Sequence, residues 1–493
     1  MRPLSFNLSR YVTKVFSSPR SKGVRRSARR AGQFRRSRFE RLEDRTVLSA
    51  TLGSALSIGG AASDGVFDIA ADSAGNSYVT GYFAGTVDFD LNQAHLGDAD
   101  ILTARGENDA FVAKYAPDDS LVWVQRMGGD YVAPQAITDV GRDIAVDVSG
   151  DVYVMGEFFG SADFGGTTLV SDGIRNSFIA KFDATGSFTW TKPLALQHGR
   201  SIGVGVDAQG NAYAMTLRDT TGYDFLKFGA SGNSVWTKSI VTNGSLDGDL
   251  AISATGNVFA VGAFEGTVDF DPSSKVKSIS VGARDASFVL KLDTNGKFQW
   301  VSPFSGAGQV YAYSVALDGS GNVVVGGSYS GTIDFNPGRA TTTLDPIGGG
   351  YVTKLNSSGS LVWARALTNA GSGASVSAYG LAVDVAGNVY VTGTFRGAID
   401  LDAGAGLKVR TSAGDGDIFL VKLSSAGDYA WGETFGGSGL DIGWSVTVDD
   451  VGYVHLAGYF TDLVDFDPDP VGTYNLGAAG ARRDGFRVRL RQA

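Results

Sequence analysis

A sixteen-residue pattern occurs seven times in this chain, and this repetition constrains the fold more than any single motif does. One copy reads DIAADSAGNSYVTGYF at residues 68–83, and another reads GLAVDVAGNVYVTGTF at residues 380–395. Each copy alternates apolar and small residues around a D-x-x-G-N type of turn, which predicts a tight antiparallel hairpin. A unit of this size cannot bury its apolar faces alone, so neighbouring units must pack on one another. The copies begin at residues 68, 143, 203, 249, 314, 380 and 445.

A second hairpin follows each copy, as in SFIAKFDATGSFTWTKPL at residues 177–194. We name the four strands of one unit A, B, C and D in chain order. A row of aromatic side chains on strand D can be interpreted as a surface on which a cofactor stacks. We favour a packing role, in which each unit inserts one large apolar side chain into the core. Six tryptophans share this register: Trp123, Trp190, Trp236, Trp300, Trp363 and Trp431.

Seven units of four short antiparallel strands predict an all-β, seven-bladed β-propeller, in which each sheet packs on its two neighbours. The 69 glycines, against 11 prolines, suit a chain with many tight turns. The last unit ends with DGFRVRLRQA at residues 484–493, which is a strand C without a following strand D. Residues 51–60 end in ALSIGG, which matches the ends of other D strands. We therefore expect this N-terminal strand to complete the last blade and close the ring.

The repeat resembles that of the SBBP-type β-propeller repeat proteins of bacteria. Two blocks carry the resemblance, one of the form AVDxxGNVYVTGxFxGTxDFD and one of the form DAFVxKxDxxGxxxW, and it extends over about residues 51–493. The resemblance implies a seven-bladed propeller. It implies no particular chemistry, because most proteins with this repeat have no assigned activity.

Residues 1–50 form a basic leader, in which 14 Lys and Arg stand against 3 Asp and Glu. Such a charge run predicts disorder, and a role in targeting is favoured over a nucleic-acid or membrane arm. The segment FERLEDRTVLSA at residues 39–50 resembles the planctomycete-type N-terminal sorting segment, which implies export to the cell surface or beyond. No run approaches the roughly 18 apolar residues that a membrane-spanning helix needs.

The body, residues 51–493, carries 28 Lys and Arg against 48 Asp and Glu. Phosphate contacts need a positive surface, so this excess of acid argues against nucleic-acid binding by the folded part. Cysteine is absent, which excludes disulfides, thiolate metal sites and thiol nucleophiles.

The six residues GTVDFD appear at 85–90 and again at 266–271, each time directly after strand B. One interpretation is that their paired aspartates cap turns by accepting backbone N–H groups. The other is that D-x-D loops coordinate Ca²⁺, the one cofactor that the sequence suggests. Pro470 stands where an EF-hand loop requires glycine, so that loop type is excluded. The candidate ligands are Asp88, Asp90, Asp269, Asp271, Asp465, Asp467 and Asp469.

A basic residue recurs in one register of strand C in all seven units. A cationic binding channel is one interpretation. We favour pairing of each head group with a carboxylate at the end of strand A, such as Asp147, Asp207 or Asp318. The basic residues are Lys114, Lys181, Lys227, Lys291, Lys354, Lys422 and Arg489.

No catalytic residue can be assigned from the sequence. The three histidines, His95, His198 and His455, are widely separated, and no nucleophile-elbow, zinc-protease or phosphate-loop motif is present. We therefore predict an exported, monomeric, non-catalytic propeller that acts as a binding protein. Its partner is expected to be a protein or a polysaccharide, bound on the face that carries the B–C and D–A connections, where loop lengths vary. The alternative is an extracellular carbohydrate-active enzyme that uses paired carboxylates near the central channel.

Overall fold

The computed structural model describes the part of the chain that follows the leader. It covers residues 50–90, 100–130, 139–171, 175–194, 200–218, 222–242, 248–282, 284–345, 347–371, 373–404, 406–469, 471–479 and 482–492. The predicted leader, except for Ala50, lies outside these residues, as do His95, His198 and Pro470. Every regular element in the described part is a β-strand.

The first half of the described chain contains strands of three to nine residues. They are β1 (Ala50–Ile58), β2 (Gly65–Ala71), β3 (Ser77–Phe83), β4 (Thr86–Asp88), β5 (Ile101–Thr103), β6 (Asp109–Tyr115), β7 (Leu121–Met127), β8 (Val140–Val146), β9 (Val152–Phe158), β10 (Ser161–Asp163), β11 (Thr168–Val170), β12 (Asn176–Phe182), β13 (Phe188–Pro193), β14 (Arg200–Val206), β15 (Ala212–Leu217), β16 (Gly222–Phe228), β17 (Ser234–Val241), β18 (Gly248–Ile252), β19 (Val258–Phe264), β20 (Thr267–Asp269) and β21 (Ser278–Ser280).

The second half continues the same alternation of long and short strands. They are β22 (Ala286–Leu292), β23 (Phe298–Gly306), β24 (Gln309–Leu317), β25 (Val323–Ser330), β26 (Ile333–Asp334), β27 (Gly349–Leu355), β28 (Leu361–Asn369), β29 (Ser375–Val383), β30 (Val389–Arg396), β31 (Ala398–Asp400), β32 (Val409–Thr411), β33 (Asp417–Leu423), β34 (Tyr429–Phe435), β35 (Ile442–Val448), β36 (Tyr453–Thr461), β37 (Leu463–Asp465), β38 (Asn475–Gly477) and β39 (Arg483–Gln492).

Seven antiparallel sheets with the strand order A, B, C, D confirm the predicted propeller. The first blade is β2-β3-β6-β7, the second is β8-β9-β12-β13, and the third is β14-β15-β16-β17. The fourth and fifth begin β18-β19-β22-β23 and β24-β25-β27-β28, and the sixth is β29-β30-β33-β34. The short strands form extra two-stranded hairpins in the B–C connections, such as β4 with β5 and β37 with β38.

The last blade has the order β35-β36-β39-β1, so the first strand of the described chain closes the ring. β1 pairs antiparallel with β39, and Ala55 lies opposite Val488. This pairing confirms the expected closure, and it begins at Ala50, one residue before the predicted boundary.

The core consists of layers between neighbouring blades. One layer joins Tyr78 and Val112 of the first blade to Ile144 and Val154 of the second, all of them buried. Strand B lies inside each sheet and is packed on both faces, so β9 and β19 are buried at every residue. This burial explains why B strands such as VYVMGEF are almost continuously apolar or small.

The repeated tryptophan of strand D links each of the first five blades to the next. The indole Nε1 of Trp363 donates to the carbonyl oxygen of Ser425, in the C–D turn of the following blade, at 3.1 Å. A Cβ atom on Gly427, which has φ +82°, would lie 2.7 Å from the Trp363 ring, so this turn requires glycine. Four other tryptophans donate in the same way: Trp123 to Ala184, Trp190 to Ala230, Trp236 to Thr294 and Trp300 to Ser357.

The junction between the last and first blades uses a salt bridge instead. Ser54 of β1 lies opposite Arg489, in the register that holds tryptophan in other blades. The fully buried guanidinium of Arg487 donates to Asp119 Oδ1 at 2.7 Å. Asp119 has φ 69° and stands in the C–D turn of the first blade, where other blades have a glycine. This contact could not be predicted from the repeat pattern, because Asp119 and Arg487 each depart from it.

Candidate functional site

The seven A strands enclose a central channel of about 740 Å³. This volume lies within the range of roughly 300–1,000 Å³ that is typical of ligand pockets. The A strands begin at the face that carries the B–C and D–A connections, which is the face predicted to bind a partner. We call the opening of the channel on this face the channel mouth.

Six A strands contain a β-bulge near their first residues, where the pairing with strand B skips one residue. A bulge changes the direction of the extra side chain. Here the extra side chains line the channel near its mouth. They are Phe67, Arg142, Ile202, Tyr313, Tyr379 and Trp444. The bulges also explain why these six A strands begin three to five residues before the predicted copies.

Four of these side chains form a continuous band along one side of the mouth, which we call the aromatic arc. It runs from Tyr313 through Tyr379 and Trp444 to Phe67, across blades five, six, seven and one. The ring centroids are 5.3 Å apart for Tyr313 and Tyr379, 4.6 Å for Tyr379 and Trp444, and 5.8 Å for Trp444 and Phe67. All four rings are half-buried, so part of each faces the channel.

The indole nitrogen of Trp444 is a hydrogen-bond donor held inside this band. It is buried and has no hydrogen-bond partner within the described part of the chain. A buried donor without a partner costs about 1–3 kcal/mol.

A cluster of arginines lies next to the Phe67 end of the aromatic arc. Glu157, whose side chain is 1% exposed, lies 3.4 Å from Arg142, 3.0 Å from Arg175 and 4.0 Å from Arg200. We call these three arginines the arginine cluster. The guanidinium carbon of Arg142 lies 4.6 Å from the centroid of the Phe67 ring, so the cluster adjoins the aromatic arc. Burial lowers the pKa of Arg142, and Glu157 opposes this shift.

Three carboxyl groups lie deeper in the channel and connect neighbouring A strands. Asp68 Oδ2 accepts the backbone N–H of Ile144 at 2.8 Å, and Asp249 Oδ2 accepts that of Val315 at 2.8 Å. Asp143 accepts from Val204 in the same way. Burial raises the pKa of Asp249 to about 7, and burial together with the charge of Asp68 raises that of Asp143. Carboxyl groups that hold a proton near neutrality can act as general acids.

The GTVDFD stretch begins the short hairpin of the B–C connection. Val87 and Phe89 are buried, and the Phe89 and Phe111 ring centroids are 4.9 Å apart. Asp88 Oδ1 accepts the backbone N–H of Asp90 at 3.0 Å. In the second copy Asp269 Oδ1 accepts from both Asp271 and Lys277.

The D-x-D-x-D segment forms a chain of backbone hydrogen bonds. Asp465 Oδ1 accepts from Asp467 and Tyr474, Asp467 Oδ1 accepts from Asp469, and Asp469 Oδ1 accepts from Val471. Among the described residues, no group of three or more His, Cys, Asp or Glu could hold a metal ion. The calcium hypothesis stays a prediction, and a rise in melting temperature when Ca²⁺ replaces EDTA would support it.

Four lysines of strand C lie beside tyrosine rings and Lys291 lies beside the Phe259 ring. None of the strand C lysines in the described residues lines the channel. Lys227 and Lys354 lie near the predicted carboxylates, Asp207 at 3.9 Å and Asp318 at 2.9 Å. The prediction for Lys181 is wrong, because its ammonium contacts Asp151 at 2.8 Å instead of Asp147. Lys114, Lys181, Lys227 and Lys422 also lie 4.8–5.1 Å from the ring centroids of Tyr78, Tyr153, Tyr213 and Tyr390.

His455 is fully buried in β36, where its Nε2 lies 3.0 Å from Asp449 Oδ2. In the first blade the same register holds Tyr78, whose hydroxyl donates to Asp72. His455 thus belongs to the blade interior. Within the described part of the chain, no helix is long and apolar enough to cross a membrane.

The mouth residues were missed from the sequence, although one signal was present. Each bulged residue directly precedes the start of a repeat copy, outside the alternating pattern. Trp444 is the one tryptophan that does not belong to the strand D register. A large aromatic side chain that the repeat does not explain could have indicated this site.

Comparison with known proteins supports the repeat assignment. The family model for the SBBP β-propeller repeat matches residues 362–394, from strand D of the fifth blade to strand B of the sixth. An uncharacterized WD repeat-containing protein of Acanthamoeba polyphaga mimivirus is 25% identical over 214 residues. That match covers 38% of this chain and 15% of the viral protein.

Two solved structures illustrate the structural similarity. A Dyadobacter fermentans protein of unknown function is 10% identical, with 90% of this chain and 100% of that chain covered and a TM-score of 0.40. An ulvan lyase, described as a new family of polysaccharide lyase, is 10% identical, with 87% and 97% covered and a TM-score of 0.43. Function is therefore inferred from the side chains of this chain alone.

Proposed function

We propose that this protein is a non-catalytic propeller that binds a polysaccharide at the channel mouth. The aromatic arc is the observation that carries this proposal. Sugar rings have apolar C–H faces that lie against aromatic rings. Four half-buried rings from four blades offer such a surface without any loop rearrangement.

The proposal includes a place of action and a state of assembly. The resemblance of residues 39–50 to a sorting segment supports export, and a polysaccharide partner would be met at the cell surface. We propose a monomer, because the ring is closed by β1 of the same chain. Fractionation of the native host cells and sedimentation of the purified protein test these two points.

Titration calorimetry with neutral polysaccharides, such as a glucan, a mannan and a galactan, and with their charged counterparts tests the binding function. We expect Tyr379→Ala to weaken binding at least tenfold, because it removes a ring from the middle of the arc. Tyr474→Ala is the matched control, because Tyr474 is 43% exposed and lies outside the channel. Absence of binding to every polymer, or equal loss in both variants, would contradict the proposal and favour a protein partner.

A carbohydrate-active enzyme is the second candidate, and the raised pKa values of Asp143 and Asp249 favour it. Their hydrogen bonds to the next A strand give both residues a structural role as well. Release of new reducing ends or unsaturated products from a bound polysaccharide would indicate catalysis. Loss of that turnover in Asp249→Asn, with binding retained, would establish the enzyme.

A further inference from the structure

We infer that the polysaccharide is recognised through an internal stretch of several sugar units, which lies across the channel mouth instead of entering the channel by one end. This inference rests on the proposed function and specifies which part of the sugar chain is bound. It comes from a fifth aromatic ring that continues the aromatic arc out of the channel, and from the apolar wall of the channel below the arc.

Tyr311 supplies the fifth ring. It lies two residues before Tyr313 on β24, and the two rings are stacked, with an interplanar angle of 5° and centroids 6.4 Å apart. The Tyr311 hydroxyl donates to Asp285 Oδ2 at 2.7 Å and accepts from Gln309 Nε2 at 3.0 Å. The ring is half-buried, and these bonds hold it in place. We call Tyr311 together with the aromatic arc the aromatic strip.

The position of Tyr311 follows from the length of its strand. β24 and β29 are nine residues long, whereas the other A strands have five to seven residues. β24 begins four residues before its bulged residue, Tyr313, whereas β2 begins two residues before Phe67 and β35 two residues before Trp444. The added residues extend the wall of the fifth blade, and Tyr311 lies on this extension, outside the set of residues that line the channel. The aromatic strip therefore leads out of the channel at one end.

The channel below the arc is unsuited to a sugar chain. Its wall there includes Ala70, Val146, Leu381, Val446 and Val448. The three channel aspartates each accept a backbone N–H of a neighbouring A strand. A chain end in this part would exchange water for aliphatic side chains around its hydroxyls, and burial of polar groups without hydrogen-bond partners is costly. We therefore expect the sugar chain to stay at the mouth and pass across it.

The aromatic strip is continuous over its whole length. Successive ring centroids, from Phe67 through Trp444, Tyr379 and Tyr313 to Tyr311, lie 4.6–6.4 Å apart. Five rings in a row exceed what the face of one sugar unit can cover, so consecutive units of one chain can each lie against part of the strip. Each added unit buries further apolar surface, so the affinity should increase with chain length until the strip is covered.

Oligosaccharides of two to six units test the inference, in titration calorimetry with β-1,4-linked glucan, mannan and galactan series. In a series that the protein binds, we expect the affinity to increase at least tenfold from the disaccharide to the hexasaccharide. Blocking either end of the hexasaccharide should change its affinity less than twofold, because an internal stretch makes the contacts. The two blocked forms are the alditol at the reducing end and the 4,6-O-ethylidene acetal at the other end.

Two results would overturn the inference: a disaccharide that binds as tightly as the hexasaccharide, or a hexasaccharide that loses its affinity when one end is blocked. Either result leaves the proposed function intact if Tyr379→Ala still weakens binding. Binding of none of the oligosaccharides and none of their parent polymers would contradict the proposed function and the inference together.

Tyr311→Ala tests the extension of the site beyond the channel. We expect it to reduce the ratio of hexasaccharide affinity to disaccharide affinity at least fivefold, whereas Tyr311→Phe, which keeps the ring, should retain the wild-type ratio. Tyr474→Ala again serves as the control, because Tyr474 is 43% exposed and lies outside the channel. Both affinities are measured on one protein, so their ratio reports on its folded fraction alone. A wild-type ratio in Tyr311→Ala would overturn the inference.

Discussion

Buried aspartates in the D–A connections show how one residue can join two neighbouring blades. Asp441 is fully buried, and its two carboxyl oxygens accept the backbone N–H groups of Gly437 at 2.8 Å and Thr461 at 2.9 Å. It thereby links the end of one blade to strands A and B of the next. Asp64 and Asp139 form the same pair of bonds at two other junctions.

Asp441 should make the stability of the protein depend on pH. Burial raises its pKa from 3.8 to about 6, and the nearby Asp417 and Asp462 add to the shift. Between about pH 4 and 6 the folded state then binds more protons than the unfolded state does. The free energy of unfolding should therefore rise as the pH falls through this window, by about 1–3 kcal/mol for this one group.

Urea unfolding of the wild type and of Asp441→Asn at pH 7 and pH 4.5 measures how much Asp441 contributes to the pH dependence of the free energy of unfolding. In Asp441→Asn, which cannot take up the proton, we expect the gain at low pH to be smaller than in the wild type. Asp450→Asn, at an exposed position, should keep the wild-type dependence. An identical pH dependence in Asp441→Asn and the wild type would contradict the assignment.

The strand D tryptophan should be a major source of stability. Trp363 is 7% exposed, so Trp363→Ala should lower the free energy of unfolding by about 3–5 kcal/mol. Trp363→Phe keeps most of the packing but loses the bond to Ser425, at a cost of about 1 kcal/mol for that bond. Val362→Ala, at a neighbouring residue that is 53% exposed, should cost less than about 0.5 kcal/mol. A small effect of Trp363→Ala in urea unfolding would mean that the tryptophan does not link the blades.

At the scale of elements, the junction between the last and first blades differs from the other junctions at two residues. Substituting both residues would restore the arrangement found in the other blades. Arg487 stands in a strand C register that holds Val112, Ile179 or Leu420 in other blades. Asp119 stands where Gly186 or Gly427 occurs. Relative to the other blades, Arg487 and Asp119 therefore replace an apolar side chain and a glycine with a buried salt bridge at the closing junction.

Breaking only one half of this pair should be costly. Asp119→Gly removes the strained φ but leaves Arg487 buried without its carboxylate, so we expect a loss of about 3–5 kcal/mol in the free energy of unfolding. The double variant Asp119→Gly with Arg487→Val restores the arrangement of the other blades and should recover most of that loss. Additive effects of the two substitutions in urea unfolding would show that the residues are not coupled.

The long strands could be predicted from the sequence because their pattern is local. Each A–B hairpin is marked by its alternation and its turn, and the structure places strands such as β3 and β30 where the repeat predicts them. The short hairpins could not be predicted in this way. β4 pairs with β5 across a connection of variable length and composition, so nothing near Thr86–Asp88 indicates its partner.

At the scale of the whole molecule, the channel mouth is a product of ring closure. Phe67 and Trp444 are 377 positions apart in the sequence, yet their ring centroids are 5.8 Å apart. No single blade contains the aromatic arc, and a bulge that shifts one residue out of the alternating pattern looks like a repeat boundary in the sequence. The site could be located only once the blades were arranged around the axis.

Closure by β1 therefore supports both the fold and the site. Two truncated proteins can distinguish the effect of losing β1 from the effect of losing the leader. Removal of residues 1–49 leaves β1 intact, so we expect the wild-type melting temperature and a monomeric elution volume. Removal of residues 1–60 exposes the edge of β39 and the apolar layer around Phe486 and Val488, both fully buried in the intact ring. An uncovered strand edge favours association, so this variant should melt at a lower temperature and elute as larger species. Because Phe67 and Trp444 face each other across the closing junction, it should also lose polysaccharide binding. Identical behaviour of the two truncated proteins would show that the ring holds together without β1.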